Sequence, residues 1–238
     1  MQRMMRMMLM SFALMVCANM GAQDKDWDNL QRYAQQNAEV RQLPQEQRSV
    51  VFMGNSITEN WAHMRPQFFS SNGYVGRGIS GQTSYQFVVR FRQDVIDLQP
   101  QVVVINVATN DVAENTGPYD EDRTMGNIMT MVELAQAHGI KVILTSTLPA
   151  AKFGWRPQIT DAAEKIARLN KRIEAYANEK GITYVDYYAK MVKGERRALN
   201  PAYSKDGVHP TVAGYEVMEP MIKKAIETVI ATDSTTTN

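Results

Sequence analysis

The sequence predicts an α/β fold in which a parallel sheet carries helices on both faces. Two observations lead there. Five short apolar runs alternate with amphipathic stretches of helical length, and no internal repeat or low-complexity segment breaks the alternation before the Ser/Thr tail at 234–238. Strands joined through helices of this length form βαβ units, whose strands run parallel. The first element is a helix over 26–42, where Trp27, Leu30, Tyr33, Ala34 and Val40 recur at helical spacing before Pro44 closes it. Strands are expected at 49–53 (SVVFM), 74–79 (YVGRGI), 101–107 (QVVVINV), 141–147 (KVILTST) and 182–187 (ITYVDY). Helices are expected near 83–98, 122–138, 161–180 and 211–231, so that residues 23–233 form one domain. In parallel sheets ligands bind outside the carboxyl ends of the strands, which directs the search to the residues just after each apolar run.

Composition excludes several alternatives. With 44% hydrophobic and 21% charged residues among 238, the chain is neither disordered nor fibrous. A formal charge of +1 provides no strong field for nucleic acid or an anionic membrane. Eight of the 16 methionines fall in the first 22 residues, which hold Arg3 and Arg6 and no acid. Those arginines, the apolar run Met7 to Val16 and the small-residue exit Met20-Gly21-Ala22 have the layout of a cleaved signal peptide. The run is too short for a membrane span, which takes about 20 residues. Export to the periplasm or medium after a cut near Ala22 is therefore expected. Cleavage removes the two arginines, leaving 24 basic against 25 acidic groups, and removes Cys17, the single cysteine. The mature chain then has no disulfide, Cys nucleophile or Cys-rich metal site. Leu14-Met15-Val16-Cys17 also has the outline of a lipoprotein signal, the alternative being an anchor through Cys17.

Four polar clusters sit where the strand ends are expected. They are Gly54-Asn55-Ser56-Ile57-Thr58, Ile79-Ser80-Gly81-Gln82-Thr83, Ala108-Thr109-Asn110-Asp111 and, before the last helix, Asp206-Gly207-Val208-His209-Pro210. In order and spacing, over roughly 49–225, they resemble the four blocks of the SGNH, or GDSL-like, acylhydrolase family. That resemblance implies a flavodoxin-like three-layer α/β/α sandwich with a five-stranded parallel sheet. It also implies ester hydrolysis without metal or organic cofactor. Ser56 matches the nucleophile, Gly81 and Asn110 the oxyanion donors alongside Ser56, and Asp206 and His209 the remaining catalytic pair. Two blocks depart from the family pattern: Asn55 stands where aspartate is usual and Ala108 where glycine is usual. An amide keeps hydrogen bonding but not charge, and the alanine adds a methyl beside the oxyanion hole.

Chemistry leads to the same residues. A serine hydroxyl is a poor nucleophile until a base takes its proton and a third group holds that base in the right tautomer. Of three histidines, His63 is expected in a loop after the first helix turn, and His138 beside Gly139 is explained by a helix end. His209 precedes Pro210, which sets it in extended backbone at a helix entrance, with Asp206 within one turn of it. An Asn-Asp pair such as Asn110-Asp111 is ordinary turn and capping chemistry. At a strand end, however, the Asn110 amide can also stabilise an oxyanion.

Gly76-Arg77-Gly78-Ile79-Ser80-Gly81 satisfies G-x-G-x-x-G, but it follows the second strand, and Asp94 and Asp97 fall within a helix rather than at a strand end. Dinucleotide binding is not expected. The expected substrate is a small or carbohydrate ester with a short acyl group, acetyl above all. The segments near 59–72, 112–121, 149–160 and 189–205 are expected as loops that build the site. They mix Trp61, Phe153, Trp155 and Tyr203 with Arg65, Arg156, Arg196 and Arg197. Trp61, Trp155 and Arg156 are the candidate substrate contacts. The same groups could pass the acyl group to an alcohol, or the scaffold could bind carbohydrate without catalysis. Retention of Ser56, Asn110, Asp206 and His209 argues against the last.

Overall fold

The computed structural model describes residues 26–234. The expected leader, with Cys17 and Ala22, and residues 235–238 lie outside the described residues.

Strand β1 (Val50–Gly54) is the hinge of the architecture. Its parallel neighbours are β2 (Tyr74–Gly78) on one side and β3 (Val102–Ile105) on the other, followed by β4 (Lys141–Thr145) and β5 (Thr183–Val185), giving the order β2-β1-β3-β4-β5. This is the flavodoxin-type order, with its topological switch at β1 and β3. Because strand side chains alternate, β1 feeds two cores: Val51 and Met53 enter one layer, Val50 and Phe52 the other. The first layer is closed by α4 (Ser84–Asp94), α6 (Glu121–Ala137) and α7 (Ala162–Lys180) through Phe87, Phe91, Ile128, Leu169 and Ile173. The second is closed by α2 (Ser56–Met64), α3 (Pro66–Ser70), α8 (Tyr187–Met191) and α9 (Val212–Ser234). Both faces are covered, so the strands are continuous apolar runs rather than alternating ones.

The long helices and all five strands fall where the periodicity puts them, but three segments differ. The expected helix over 26–42 begins only at Leu30, as a 3₁₀ turn leading into α1 (Ala34–Val40), after Asn29 adopts a left-handed conformation. There the amides of Gln86 and Gln93 on α4 take the Trp27 and Leu30 carbonyls and bind the segment to the body. Segment 59–72 is not a loop but most of α2 and all of α3, and His63 lies in the last turn of α2. Segment 189–205 contains a short antiparallel hairpin, β6 (Val192–Lys193) and β7 (Ala198–Leu199).

The glycines of the G-x-G-x-x-G run have a packing role. A Cβ on Gly78 would lie 2.1 Å from the Glu59 backbone nitrogen, and one on Gly76 would lie 2.8 Å from the Ala62 Cβ, so both let α2 settle onto β2.

Candidate active site

The strand order places three of the four polar clusters side by side. Ser56 follows the central strand β1; the Gly81 loop follows β2 on one side, and the short helix α5 (Thr109–Val112) follows β3 on the other. Ser56 opens α2. Asn55 caps that helix by accepting the Ile57 N–H at 3.0 Å. The Ser56 N–H, in the first turn, has no intrahelical acceptor and points out of the positive end of the helix. The capping oxygen of Asn55 does what an aspartate oxygen would do. Its buried Nδ2, in contrast, has no partner among the described residues.

Gly81 sits at φ +80 with nothing within 4 Å of where a Cβ would be, so its backbone faces open space in a conformation that glycine adopts without strain. Two neighbours fix it. Asn115 Nδ2 donates to the Gly81 carbonyl at 3.0 Å, and the buried Asn110 Nδ2 donates to the Gln82 carbonyl at 2.9 Å. One proton of the Asn110 amide is thereby committed, and the second is left for a ligand. Ala108, two residues earlier, is held at φ 82, which explains why glycine suits this position: a side chain there is strained.

The fourth cluster is a self-contained turn. Asp206 Oδ1 accepts the N–H groups of Val208 and His209 at 2.9 and 2.8 Å and the Ser204 hydroxyl at 3.1 Å. Asp206 Oδ2 lies 2.7 Å from His209 Nδ1. Val208 is buried with Phe153, Ile159 and Ile166 and anchors the turn between its two polar residues. Burial pushes the Asp206 carboxyl up, but the hydrogen bonds from the His209 ring and from the His209 and Val208 backbone outweigh it and hold it down at about 2. The carboxylate is therefore ionised at neutral pH and can only accept, so His209 Nδ1 is the donor to it. His209 Nε2 stands 2.9 Å from Ser56 Oγ.

The separation between serine and histidine is set by the docking of α9 on α2. Trp61 stacks on Tyr215 at 5.3 Å, the Tyr215 hydroxyl donates to the Ile57 carbonyl at 2.8 Å, and Arg65 forks onto Glu219 at 2.8 and 2.9 Å. Trp61 is thus not a substrate contact. It is 2% exposed among Phe52, Phe68, Phe69 and Tyr215, and a substrate cannot reach it. Phe153 is likewise core, and Arg65 is consumed by its ion pairs.

Trp155 differs: it is 43% exposed, 5.3 Å from Phe153 and 6.2 Å from the His209 ring, with its Nε1 donating to Asn115 Oδ1 at 3.0 Å. Arg156 is next to it and half-buried. Asn115, which ties the Trp155 loop to the Gly81 loop, was not legible in the sequence, where it is one polar residue in a polar loop. On the other side of the turn, Met64, Pro210, Val212 and Ala213 form an apolar groove of ≈ 600 Å³ beside Asp206 and His209.

Residues 52–217 match the GDSL-like Lipase/Acylhydrolase family. A crystal structure from Bacteroides fragilis, provisionally described as an acylhydrolase, is 66% identical over 87% of this chain and 100% of its own, with a TM-score of 0.84. A GDSL-like lipase from Bacteroides thetaiotaomicron is 62% identical over 84% of this chain and 98% of its own, with a TM-score of 0.83. Among curated relatives, an acetylxylan esterase of Xylanibacter ruminicola is 22% identical over 75% of this chain and 43% of its own length. An uncharacterized lipoprotein of Bacillus subtilis is 35% identical over 32% of each chain. This chain spans less than half the length of these curated relatives. The chain belongs to the GDSL-like lipase/acylhydrolase family.

Proposed function

We propose that residues 23–233 act as one serine esterase domain that removes short acyl groups, acetyl first among them, from carbohydrate esters. The observation that carries the reading is the relay from Ser56 Oγ through His209 to Asp206, at 2.9 and 2.7 Å. Ser56 Oγ attacks the ester carbonyl carbon as His209 Nε2 takes its proton. The oxygen that becomes negative is met by the Ser56 and Gly81 N–H groups and the free proton of Asn110 Nδ2. Collapse expels the alcohol, protonated by His209, and leaves an acyl-serine. A water, deprotonated by His209, then releases the acid and restores Ser56. Asp206 orients the ring and stabilises its charged form throughout.

Support for a sugar comes from the exposed Trp155 face beside His209, with half-buried Arg156 next in the chain, and from the acetylxylan esterase among the relatives. The apolar groove at Met64 and Val212 favours a second reading, in which a longer acyl group lies there. The leader-like start and the lipoprotein relative support export. No helix among the described residues is long and apolar enough to cross a membrane.

The test pairs acetate release from acetylated xylooligosaccharides with a series of aryl esters from acetyl to longer chains. The reading expects kcat/KM to be highest for acetyl and Ser56→Ala to be inactive while folding normally. A kcat/KM that climbs with chain length favours the groove reading. Hydrolysis at the wild-type rate by Ser56→Ala refutes the serine mechanism.

A further inference from the structure

Arg90 is the largest side chain in the fully buried interior, 0% exposed on the inner face of α4, and the chemistry above does not use it. A guanidinium has five N–H donors and tolerates burial only when they are met. Asp94, one turn along, accepts from Nη1 at 2.8 Å, and this pair alone would balance the charge. The remaining donors reach elsewhere. Nη2 donates to the Gly54 carbonyl at 2.8 Å, Nε donates to Gln82 Oε1 at 2.6 Å, and Nη1 also donates to the Arg77 carbonyl at 3.0 Å.

Gly54 stands two residues before Ser56, Gln82 follows Gly81, and the Gln82 carbonyl is the acceptor that holds Asn110 Nδ2. One cation therefore ties together the segments that carry all three oxyanion donors. The sheet achieves only part of this. The β1–β2 register ends at Gly54 and Gly78, one more backbone bond runs from the Ile79 N–H to the Gly54 carbonyl at 3.1 Å, and beyond it the Gly81 loop leaves the ladder.

We propose that Arg90 is a positioning residue of the oxyanion hole, its planar fork fixing the separation between the Ser56 and Gly81 N–H groups and, through Gln82, the aim of the Asn110 amide. This rests on the esterase reading. A lysine at 90 keeps the charge and the Asp94 pair but is a single-point donor that cannot span both Gly54 and Gln82. A misplacement of about 1 Å in such a site costs on the order of 10²-fold in rate.

The test is a double-mutant cycle with an aryl acetate. Arg90→Lys is expected to lower kcat roughly tenfold to a hundredfold with KM within about twofold, and to leave the acid limb of the pH profile in place, because His209 and Asp206 do not touch it. In an Asn110→Ala background the same substitution is expected to cost less than about threefold, because the hole it aligns is already broken. Should Arg90→Lys fail to fold, Gln82→Leu cuts the arm to the Gly81 loop while leaving the Arg90–Asp94 pair, and the same expectations apply. Effects that multiply in the double variant, or a rise in KM alone, would overturn the proposal and leave the esterase reading standing. Turnover retained in Ser56→Ala would overturn both.

Discussion

Replacing Asn110 with alanine separates the two roles that the proposed mechanism gives one amide. Of the two Nδ2 protons, one is bound to the Gln82 carbonyl at 2.9 Å in a buried setting, and the other is assigned to the oxyanion. Losing an oxyanion donor lowers kcat by about 10²–10³, or ~2.7–4 kcal/mol of barrier. Losing the buried bond leaves the Gln82 carbonyl unpaired, at ~1–3 kcal/mol of stability. For a chain of this size each kcal/mol moves Tm by ~2–4 °C, so a fall of roughly 2–12 °C is expected. The two losses are read independently, kcat and KM from aryl acetate hydrolysis and Tm from calorimetry at the same pH. Asn110→Asp is the control: nearly the same size, it cannot donate and places a negative charge where the oxyanion forms, so it must be slower than alanine. An unchanged kcat with a raised KM in Asn110→Ala, or an Asn110→Asp faster than Asn110→Ala, would refute the reasoning.

Further expectations concern neighbouring groups. His209→Ala removes turnover while Tm stays near wild type, since the ring is partly exposed and serves no core; retained turnover would exclude it as the base. Asp206 is depressed from 3.8 to about 2, so its hydrogen bonds contribute above the unfolded value and are lost only as pH falls through about 2. Asp206 therefore adds no acid limb of its own above about pH 2, and a limb at roughly pH 4–6 that disappears in Asp206→Asn would contradict this. Trp155→Ala raises KM for an acetylated oligosaccharide roughly 2- to 12-fold, equivalent to ~0.5–1.5 kcal/mol of lost ring contact; an unchanged KM would remove the indole from the sugar site. Ala108→Gly stays within about 1 kcal/mol of wild type in thermal unfolding, because relief of ~1–2 kcal/mol of left-handed strain offsets the lost methyl and the freer unfolded chain. A loss of about 3 kcal/mol would show the methyl to be needed for packing.

Much of the architecture is written locally. The apolar runs that become β1–β5 and the stripes that become α4, α6, α7 and α9 need only their own periodicity to be read, and the polar clusters sit at the ends they bound. What local pattern does not contain is the partner. Trp61 reads equally well as an exposed ring lining a site or as core, and only the arrival of Tyr215 and Glu219 from the far end of the chain decides for core. Arg90 and Asp94 did leave a trace. They share the helix face of Phe87 and Phe91, so two opposite charges at i and i+4 lie within an apolar stripe, the pattern of a buried pair. The first helix starts later than its periodicity predicts because amides from α4 capture carbonyls that a helix would otherwise use.

The docking of α9 on α2 has a consequence for heat. The proposed base and its carboxylate sit on the turn that leads into α9, held to the body by Val208, whereas the proposed nucleophile belongs to α2, and α9 meets α2 through Trp61, Tyr215, Arg65, Glu216 and Glu219. Hydrogen bonds fail over a few tenths of an ångström, while a core tolerates such a shift, so a small slide of one helix on the other silences the enzyme and leaves the sheet intact. Inactivation on warming is then expected to precede the loss of the fold and to reverse on cooling, and the first degrees of lost activity measure the stiffness of one helix contact rather than the melting of the protein.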